Sequence, residues 1–267
     1  MNLVYLNGSY LTLEKARLPI TDRGFTYGDG VFTTLKVSEG KPLFLEKHLT
    51  RLARDAAAVR LTVVPIGEIK AACIGLVSRL GMQSGVLKAV LTRGAGGRGL
   101  STKNASGSTI LVSASALPRP RPCLRAVTVP DERGTLAAHK TLNYLPNVLA
   151  LRRAEEAGRD EAIFVRDGFL LEATISNLVG VVDGRLLTPP LGGRVLGGVI
   201  REVLLEEHVV FEGDLPAGTS GPLYCVNSVR GVETVVELDD RPVPTDPEPQ
   251  DLLGEIITRR TRLGGFL

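Results

Sequence analysis

Four glycine-containing turn pairs punctuate this chain and limit what it can become: Asn7-Gly8, Glu39-Gly40, Asp167-Gly168 and Asp183-Gly184. Each lies between short runs rich in alternating apolar residues. Asn-Gly and Asp-Gly accept the positive φ angles of a two-residue hairpin at little cost, so antiparallel hairpins are expected. Residues 3–13 (LVYLNGSYLTL) form one of them, and 31–38 is a strand with its return at 43–45. Further strands are expected at 86–93, 109–115, 124–129, 161–166, 169–172, 176–182, 185–187, 209–212, 222–226 and 233–238. Apolar residues at helical spacing predict helices over 45–59, 66–80, 141–157, 196–207 and 248–262, the third stopped by Gly158. Hairpins interspersed with helices predict an α+β fold, not a doubly wound parallel sheet.

The stretch LPRPRPC (117–123) is stiff and extended, as a connector between two lobes would be. It divides the chain into an N-terminal α/β domain (1–116), a linker (117–123) and a larger C-terminal domain (124–267). An ordinary surface loop is the competing reading. A length of 267 residues suits one large domain or two modest ones.

Composition removes several function classes. No apolar run approaches the roughly 18–20 residues of a membrane span, and the start (MNLVYLNGSYL) lacks the basic and apolar regions of a signal peptide. Cys73, Cys123 and Cys225 stand far apart with no CxxC pair, and His48, His139 and His208 show no ligand spacing. Neither a disulfide framework nor a metal site is expected. The net charge of +3 comes from bases scattered among acids, with only 7 Phe and 5 Tyr, so nucleic acid is not the expected partner. A soluble cytoplasmic protein is expected.

The basic residues divide unevenly, 24 Arg to 8 Lys, and beyond Lys103 the single lysine is Lys140. Of the two, only lysine can lose a proton near neutral pH and condense with an aldehyde. Chance in an arginine-rich chain explains a lone lysine equally well. Its context, AAHKTLNYLPNVLALRRAEEAG, reads as the start of a helix, whose positive end would depress an amine pKa. Glu172, in LLEATISNL, ends a hairpin strand; it is either an exposed acid or a buried one paired with a cation. Arg93 to Gly99 (RGAGGRG) fails as a dinucleotide or phosphate fingerprint, because no helix and no Gly-Lys-Ser/Thr follows. A flexible loop whose Arg93 and Arg98 grip a carboxylate is one reading, a solvated hairpin tip the other.

Seven ordered segments together resemble the fold-type IV pyridoxal-phosphate enzymes, the class IV aminotransferase family. They are DRGFTYGDGVFTTLKV (22–37), EKHLTRL (46–52), GVLKAVLTRGAGGRGLS (85–101), HKTLNYLPNVLA (139–150), DEAIFVRDGFLLEATISNL (160–178), TPPLGGRVLGGVIREVL (188–204) and YCVNSVRGVETV (224–235). The resemblance implies a two-domain α+β fold with pyridoxal 5'-phosphate between the domains. Lys140 matches the lysine that binds the aldehyde and moves protons, Glu172 the partner of the pyridine nitrogen, and Arg51 the arginine on the phosphate. Val199 and Ile200 match backbone donors to that phosphate, Ser228 a hydroxyl beside it, and Leu196 a side chain against the ring. Tyr144, four residues after Lys140 and on the same expected helix face, could reach the phenolic oxygen.

Within the family, GDGVFTT and GVLKAVLTRGAGGRG resemble aminodeoxychorismate lyase, through Thr34, Lys88 and the double glycine. That branch implies conversion of 4-amino-4-deoxychorismate to 4-aminobenzoate and pyruvate, a folate-precursor step. Thr34 would relay a proton, while Lys88, Arg93 and Arg98 would meet carboxylates beside Phe32 and Tyr27. An aminotransferase of D-amino or branched-chain amino acids is the runner-up, and a non-catalytic binder of the cofactor or an anion the third reading. The family also implies a homodimer, with Tyr27 contributed across its interface.

Overall fold

The computed structural model of the protein describes residues 2–61, 64–105, 107–121 and 123–263. It divides into two compact units: residues 2–117 with 139–143, and residues 118–138 with 144–263. The first unit holds β1 (Leu3–Leu6), β2 (Ser9–Thr12), α1 (Arg23–Tyr27), β3 (Gly30–Ser38), β4 (Lys41–Pro42), α2 (Leu45–Ala58), α3 (Ile66–Leu80), β5 (Ser84–Thr92) and β6 (Thr109–Ser115). Its six strands form an antiparallel sheet in the order β2-β1-β6-β5-β3-β4. The first hairpin turns at Asn7 (φ 44°) and Gly8 (φ 89°), the left-handed pair that sequence predicts.

Leu45, Leu49, Leu52 and Ala56 of α2 and Ile69, Ala72, Cys73, Leu76 and Val77 of α3 bury one face of each helix. They pack with Val31, Leu35 and Val37 of β3. Because side chains alternate along a strand, Thr33 shares that helix-facing side, while Phe32 and Thr34 lie on the other. Lys88 of β5 is directly opposite Thr34 in register and joins them there. The expected return strand at 43–45 is shorter and earlier: β4 ends at Pro42, and Phe44 adopts a left-handed φ of 52° before α2 begins.

Residues 139–143 depart from expectation. Instead of opening a helix, Thr141 bridges Val31, Phe32 N–H donates to Lys140 O (2.9 Å) and Leu142 N–H donates to Gly30 O (2.9 Å). The segment is captured by the edge of β3, so it belongs with the first unit rather than with the C-terminal domain.

The second unit holds β7 (Cys123–Pro130), α4 (Leu145–Glu156), β8 (Glu161–Arg166), β9 (Phe169–Ala173), β10 (Asn177–Val182), β11 (Arg185–Thr188), α5 (Val199–Glu206) and β12 (Phe211–Glu212). β13 (Leu215–Pro216), β14 (Leu223–Asn227), β15 (Gly231–Leu238), β16 (Arg241–Pro242) and α6 (Pro247–Leu263) complete it. Its strands run β12-β11-β10-β14-β15-β7-β8-β9-β13, with β16 on β15. A further pairing, Glu172 with Asn177, joins β9 back to β10. Six strands (β10, β14, β15, β7, β8 and β9) thus close on themselves around Leu124, Ile163, Leu170, Leu178, Leu223 and Val235. Arg121, from the proline-rich stretch, donates to both Glu233 oxygens (2.9 and 3.4 Å) and to Asp160 O. That part of the expected linker is fastened to the second unit.

Gly30 is where the captured segment leaves no room for a side chain. A Cβ there would meet Leu91 O at 2.6 Å and Leu142 Cδ1 at 2.8 Å. A backbone oxygen cannot retreat, so Gly30→Ala is expected to lower stability by about 1–3 kcal/mol, the usual cost of overpacking. The check is a lower urea midpoint with an unchanged slope.

Candidate active site

In the first unit the captured segment sets Lys140 beside β3. With its carbonyl committed to Phe32, the side chain of Lys140 places Nζ 4.6 Å from the Phe32 ring centroid. Lys88 Nζ lies 4.6 Å from the same centroid. Two ammonium groups therefore share one aromatic ring, whose negative face attracts cations. Lys88 is exposed on β5, yet the partial desolvation of its amine first, then the nearby charge of Lys140, pushes its pKa below the ordinary lysine value. Thr34 sits next to Lys88 on the paired strand.

On the helix-facing side of β3, Arg51 is buried and donates to Thr33 Oγ1 (3.0 Å), which lies 2.8 Å from His48 Nδ1. His48 is fully buried, and its pKa is held well below the usual histidine value by burial, then by Arg51 and Lys140. It is therefore a neutral ring at physiological pH, placed between two positive groups. One helical turn beyond Arg51, Asp55 is almost wholly buried. Its Oδ2 accepts from Lys140 N–H (3.1 Å) and its Oδ1 lies 3.2 Å from His139 Nδ1.

In the second unit Glu172 sits at the strand closure, buried and met by three donors. Arg133 Nη1 donates to its Oε1 (2.5 Å), while Asn177 Nδ2 (3.2 Å) and Leu196 N–H (3.0 Å) donate to its Oε2. Arg133 is itself anchored: Nε donates to Asp131 Oδ1 (2.7 Å), Nη2 to Arg194 O (3.2 Å), and its guanidinium carbon lies 3.8 Å from the Phe164 ring centroid. Arg194 also donates to Asp131 (3.3 Å). Two acids and two arginines thus form one buried, balanced cluster, which is how buried charge becomes affordable. Asn177 Nδ2 also donates to Leu196 O (2.8 Å), and a Cβ on Gly198 would strike Asn177 Oδ1 at 2.0 Å. Gly198 caps α5, whose first residues, Val199 and Ile200, are buried. The leading N–H groups of a helix have no partner within it and suit an anion. Ser228 is half-buried in the turn after β14, where Asn227 Oδ1 accepts from Val229 and Arg230 N–H.

Several sequence expectations need correction. Lys140 does not stand at a helix N-terminus, since α4 starts at Leu145; the helix end is not what acts on its amine. Tyr144 is the residue preceding α4, so the shared helix face argued for it and Lys140 does not exist. Arg93 is not a free grip for a carboxylate. Its guanidinium donates to Asp29 (2.8 Å), Val59 O (2.8 Å) and Arg60 O (2.8 Å). The glycine-rich loop is held as well, for Arg23 donates to the carbonyls of Gly99, Leu100 and Ser101. Tyr27 accepts from Gly99 N–H (3.1 Å) under the Arg23 guanidinium, and Arg98 stays exposed on that loop. Sequence reading passed over Asp55, Arg133, Asp131 and Asn177. The i, i+4 spacing of Arg51 and Asp55 on a helix was the one available signal.

Comparison with known proteins shows the family to which this chain belongs. The family model for amino-transferase class IV matches residues 30–238. A Methanocaldococcus jannaschii protein, provisionally named a branched-chain-amino-acid aminotransferase, is 32% identical over 257 residues, covering 89% of this chain and 88% of its own. The D-alanine aminotransferase of Bacillus licheniformis is 30% identical over 210 residues, covering 76% of this chain and 74% of its own. The crystal structure of 4-amino-4-deoxychorismate lyase from Pseudomonas aeruginosa superposes with a TM-score of 0.83 at 28% identity, over 99% of this chain and 100% of that one. The chain belongs to the class IV aminotransferase family and is an enzyme of the pyridoxal-phosphate-dependent fold type IV.

Proposed function

We propose that this enzyme is a lyase that converts 4-amino-4-deoxychorismate to 4-aminobenzoate and pyruvate. The observation that carries the reading is the second ammonium at Phe32. Lys88 sets a cation beside Lys140 and next to Thr34, as a substrate with two carboxylates and an amine requires.

The residues fit pyridoxal phosphate. Lys140 would hold its aldehyde, Glu172 its pyridine nitrogen, and Arg51, the Val199 and Ile200 N–H groups and Ser228 its phosphate. Gly198 lets the Asn177 amide that steadies Glu172 close against the start of α5, where a side chain would strike its Oδ1. Leu196 contributes through its backbone, which steadies Glu172, and Tyr144 would face the phenolic oxygen. When bound, the cofactor supplies an aldehyde for the substrate amine and a ring that spreads negative charge. Lys140 then removes the proton from the amine-bearing carbon. Thr34 passes a proton to the enolpyruvyl methylene as the carbon–oxygen bond breaks. Substrate and the two products balance without water or a keto acid. Lys88 and the exposed Arg98 hold the carboxylates, with Phe32 as the floor beneath them and Tyr27 steadying the loop.

Aminotransfer to D-amino or branched-chain keto acids is the second reading, favoured by the higher identity of the aminotransferase sequences. We further propose a homodimer, in keeping with exposed Leu145, Val148 and Leu149 on α4 and Phe25 on α1. The cytoplasm is its proposed compartment; among the described residues no helix is long and apolar enough to cross a membrane.

The deciding assay supplies 4-amino-4-deoxychorismate without a keto acid. Equal yields of 4-aminobenzoate and pyruvate, lost in Lys140→Ala, are expected; turnover that needs a keto acid would move the assignment to aminotransfer. Removing the second cation in Lys88→Met is expected to raise KM about tenfold, the worth of one charge-assisted hydrogen bond. The pH dependence has a definite sign. Lys88 is charged below its lowered pKa, so KM rises as pH climbs through a value under the ordinary lysine pKa of about 10.4. In Lys88→Arg, which keeps its charge, that rise is expected to vanish from the KM profile.

A further inference from the structure

We propose that Asp55 is the positioning residue for Lys140: its buried carboxylate, clasping the Lys140 amide and the His139 ring, fixes the peptide that aims the reactive amine. The inference rests on the reading of Lys140 as the aldehyde-binding lysine.

Three hydrogen bonds define the lysine's place, and they come from two directions. Strand β3 holds the segment from one side through Phe32 N–H to Lys140 O and Leu142 N–H to Gly30 O. The Lys140 N–H belongs to the preceding peptide group and is not spent on β3. Asp55 Oδ2 receives it instead, at 3.1 Å. The other oxygen lies 3.2 Å from His139 Nδ1 and accepts from Arg54. The two peptide groups that flank the Lys140 Cα are thereby each held, and the side chain lies with its Nζ over Phe32.

Asp55 is not needed there to complete a helix or a cap. It lies in the third turn of a fourteen-residue helix, on the same face as Arg51, with its side chain 1% exposed. Burying a carboxylate is costly unless specific donors receive it. Here one of them is the backbone of the reactive lysine. The helix that carries the proposed phosphate arginine therefore also carries the acid that locates the lysine, one turn on. Spacing between the two proposed anchors of the cofactor, at its phosphate and at its aldehyde, is set by a single rigid element.

That arrangement predicts a signature that a general loss of stability would not give. Pyridoxal has the aldehyde and lacks the phosphate, so it senses Lys140 and not Arg51. Condensation joins the Lys140 amine to the aldehyde carbon and releases water, and the linkage is trapped by borohydride and located by mass spectrometry. Asp55→Ala is expected to weaken the linkage about tenfold, by the same factor for pyridoxal and for pyridoxal phosphate, as loss of one charged acceptor would. Asp55→Asn keeps an acceptor without the charge and is expected to weaken both about threefold. If Asp55→Ala does not fold, the Asn variant alone decides by whether its loss is equal for the two aldehydes. Arg51→Gln provides the contrast: it should weaken the phosphate form and spare pyridoxal. Unchanged linkage in the Asp55 variants, or a loss confined to pyridoxal phosphate, would overturn the proposal. Absence of any trapped Lys140 adduct in the wild-type protein would instead overturn the reading of Lys140 itself.

Discussion

Everything the first unit offers chemically depends on a strand edge accepting a short, distant stretch of chain. Residues 139–143 pair with β3 at Gly30 to Phe32, and through that pairing a lone lysine reaches the face that holds Phe32 and Lys88. The capture is local in energy and global in effect. Each backbone bond is worth only about 0.5–1.5 kcal/mol net, too little to hold a flexible stretch alone. What makes it definite is fit: Gly30 has no side chain to interfere, Thr141 is buried, and Asp55 takes up the remaining amide. The same strand presents Thr33 to Arg51 and His48 on its opposite side. Alternation along one strand thus separates a side with a buried arginine and a neutral histidine from a side with two amines.

The two units solve the problem of buried charge differently. In the second, Glu172 and Asp131 are balanced by Arg133 and Arg194, so the cluster is neutral and each of the four carboxylate oxygens faces a donor. In the first, Lys88, Lys140 and Arg51 outnumber Asp55, and His48 is kept neutral by burial, then by Arg51 and Lys140. An excess of positive charge within a partly dry region is an invitation to an anion. The modest net charge of +3 in the sequence is therefore less informative than where a few of its cations are gathered.

Much of the fold was legible because its signals are local. The helix expected over 66–80 is α3 at the same bounds, and the left-handed turns fall at Asn7-Gly8, Asp167-Gly168 and Asp183-Gly184 as glycine chemistry requires. The errors share a physical cause: the deciding partner was far away in sequence. Residues 141–143 have helical company, yet the edge of β3 outbids the first helical turn, and Pro146 is content one turn later. Arg93 looked free because nothing in a sequence says that Asp29 and two carbonyls at the end of α2 will surround it. Arg133 and Asp131 stood in plain view eight and ten residues ahead of the lysine segment's own centre at Thr141, but only the closure of β9 on β10 brings Glu172 to them.

The division of labour within the chain bears on how one framework serves different reactions. The groups proposed for the cofactor are held by deep, specific contacts: Glu172 by three donors, Arg51 by Thr33, and the start of α5 by Gly198 against Asn177. Changing any of these disturbs a buried network, which is expensive. Lys88 is different. It lies exposed on β5 with its charge resting on an aromatic face, and its neighbour across the ladder is a hydroxyl. Replacing it would leave the sheet register and the Lys140 clamp untouched, while removing the second cation from the ring. If the roles proposed above hold, substrate choice varies at one strand pair while the contacts behind it stay fixed. The physical reason is that a cation on an aromatic face is held by few contacts, whereas a buried carboxylate is held by many.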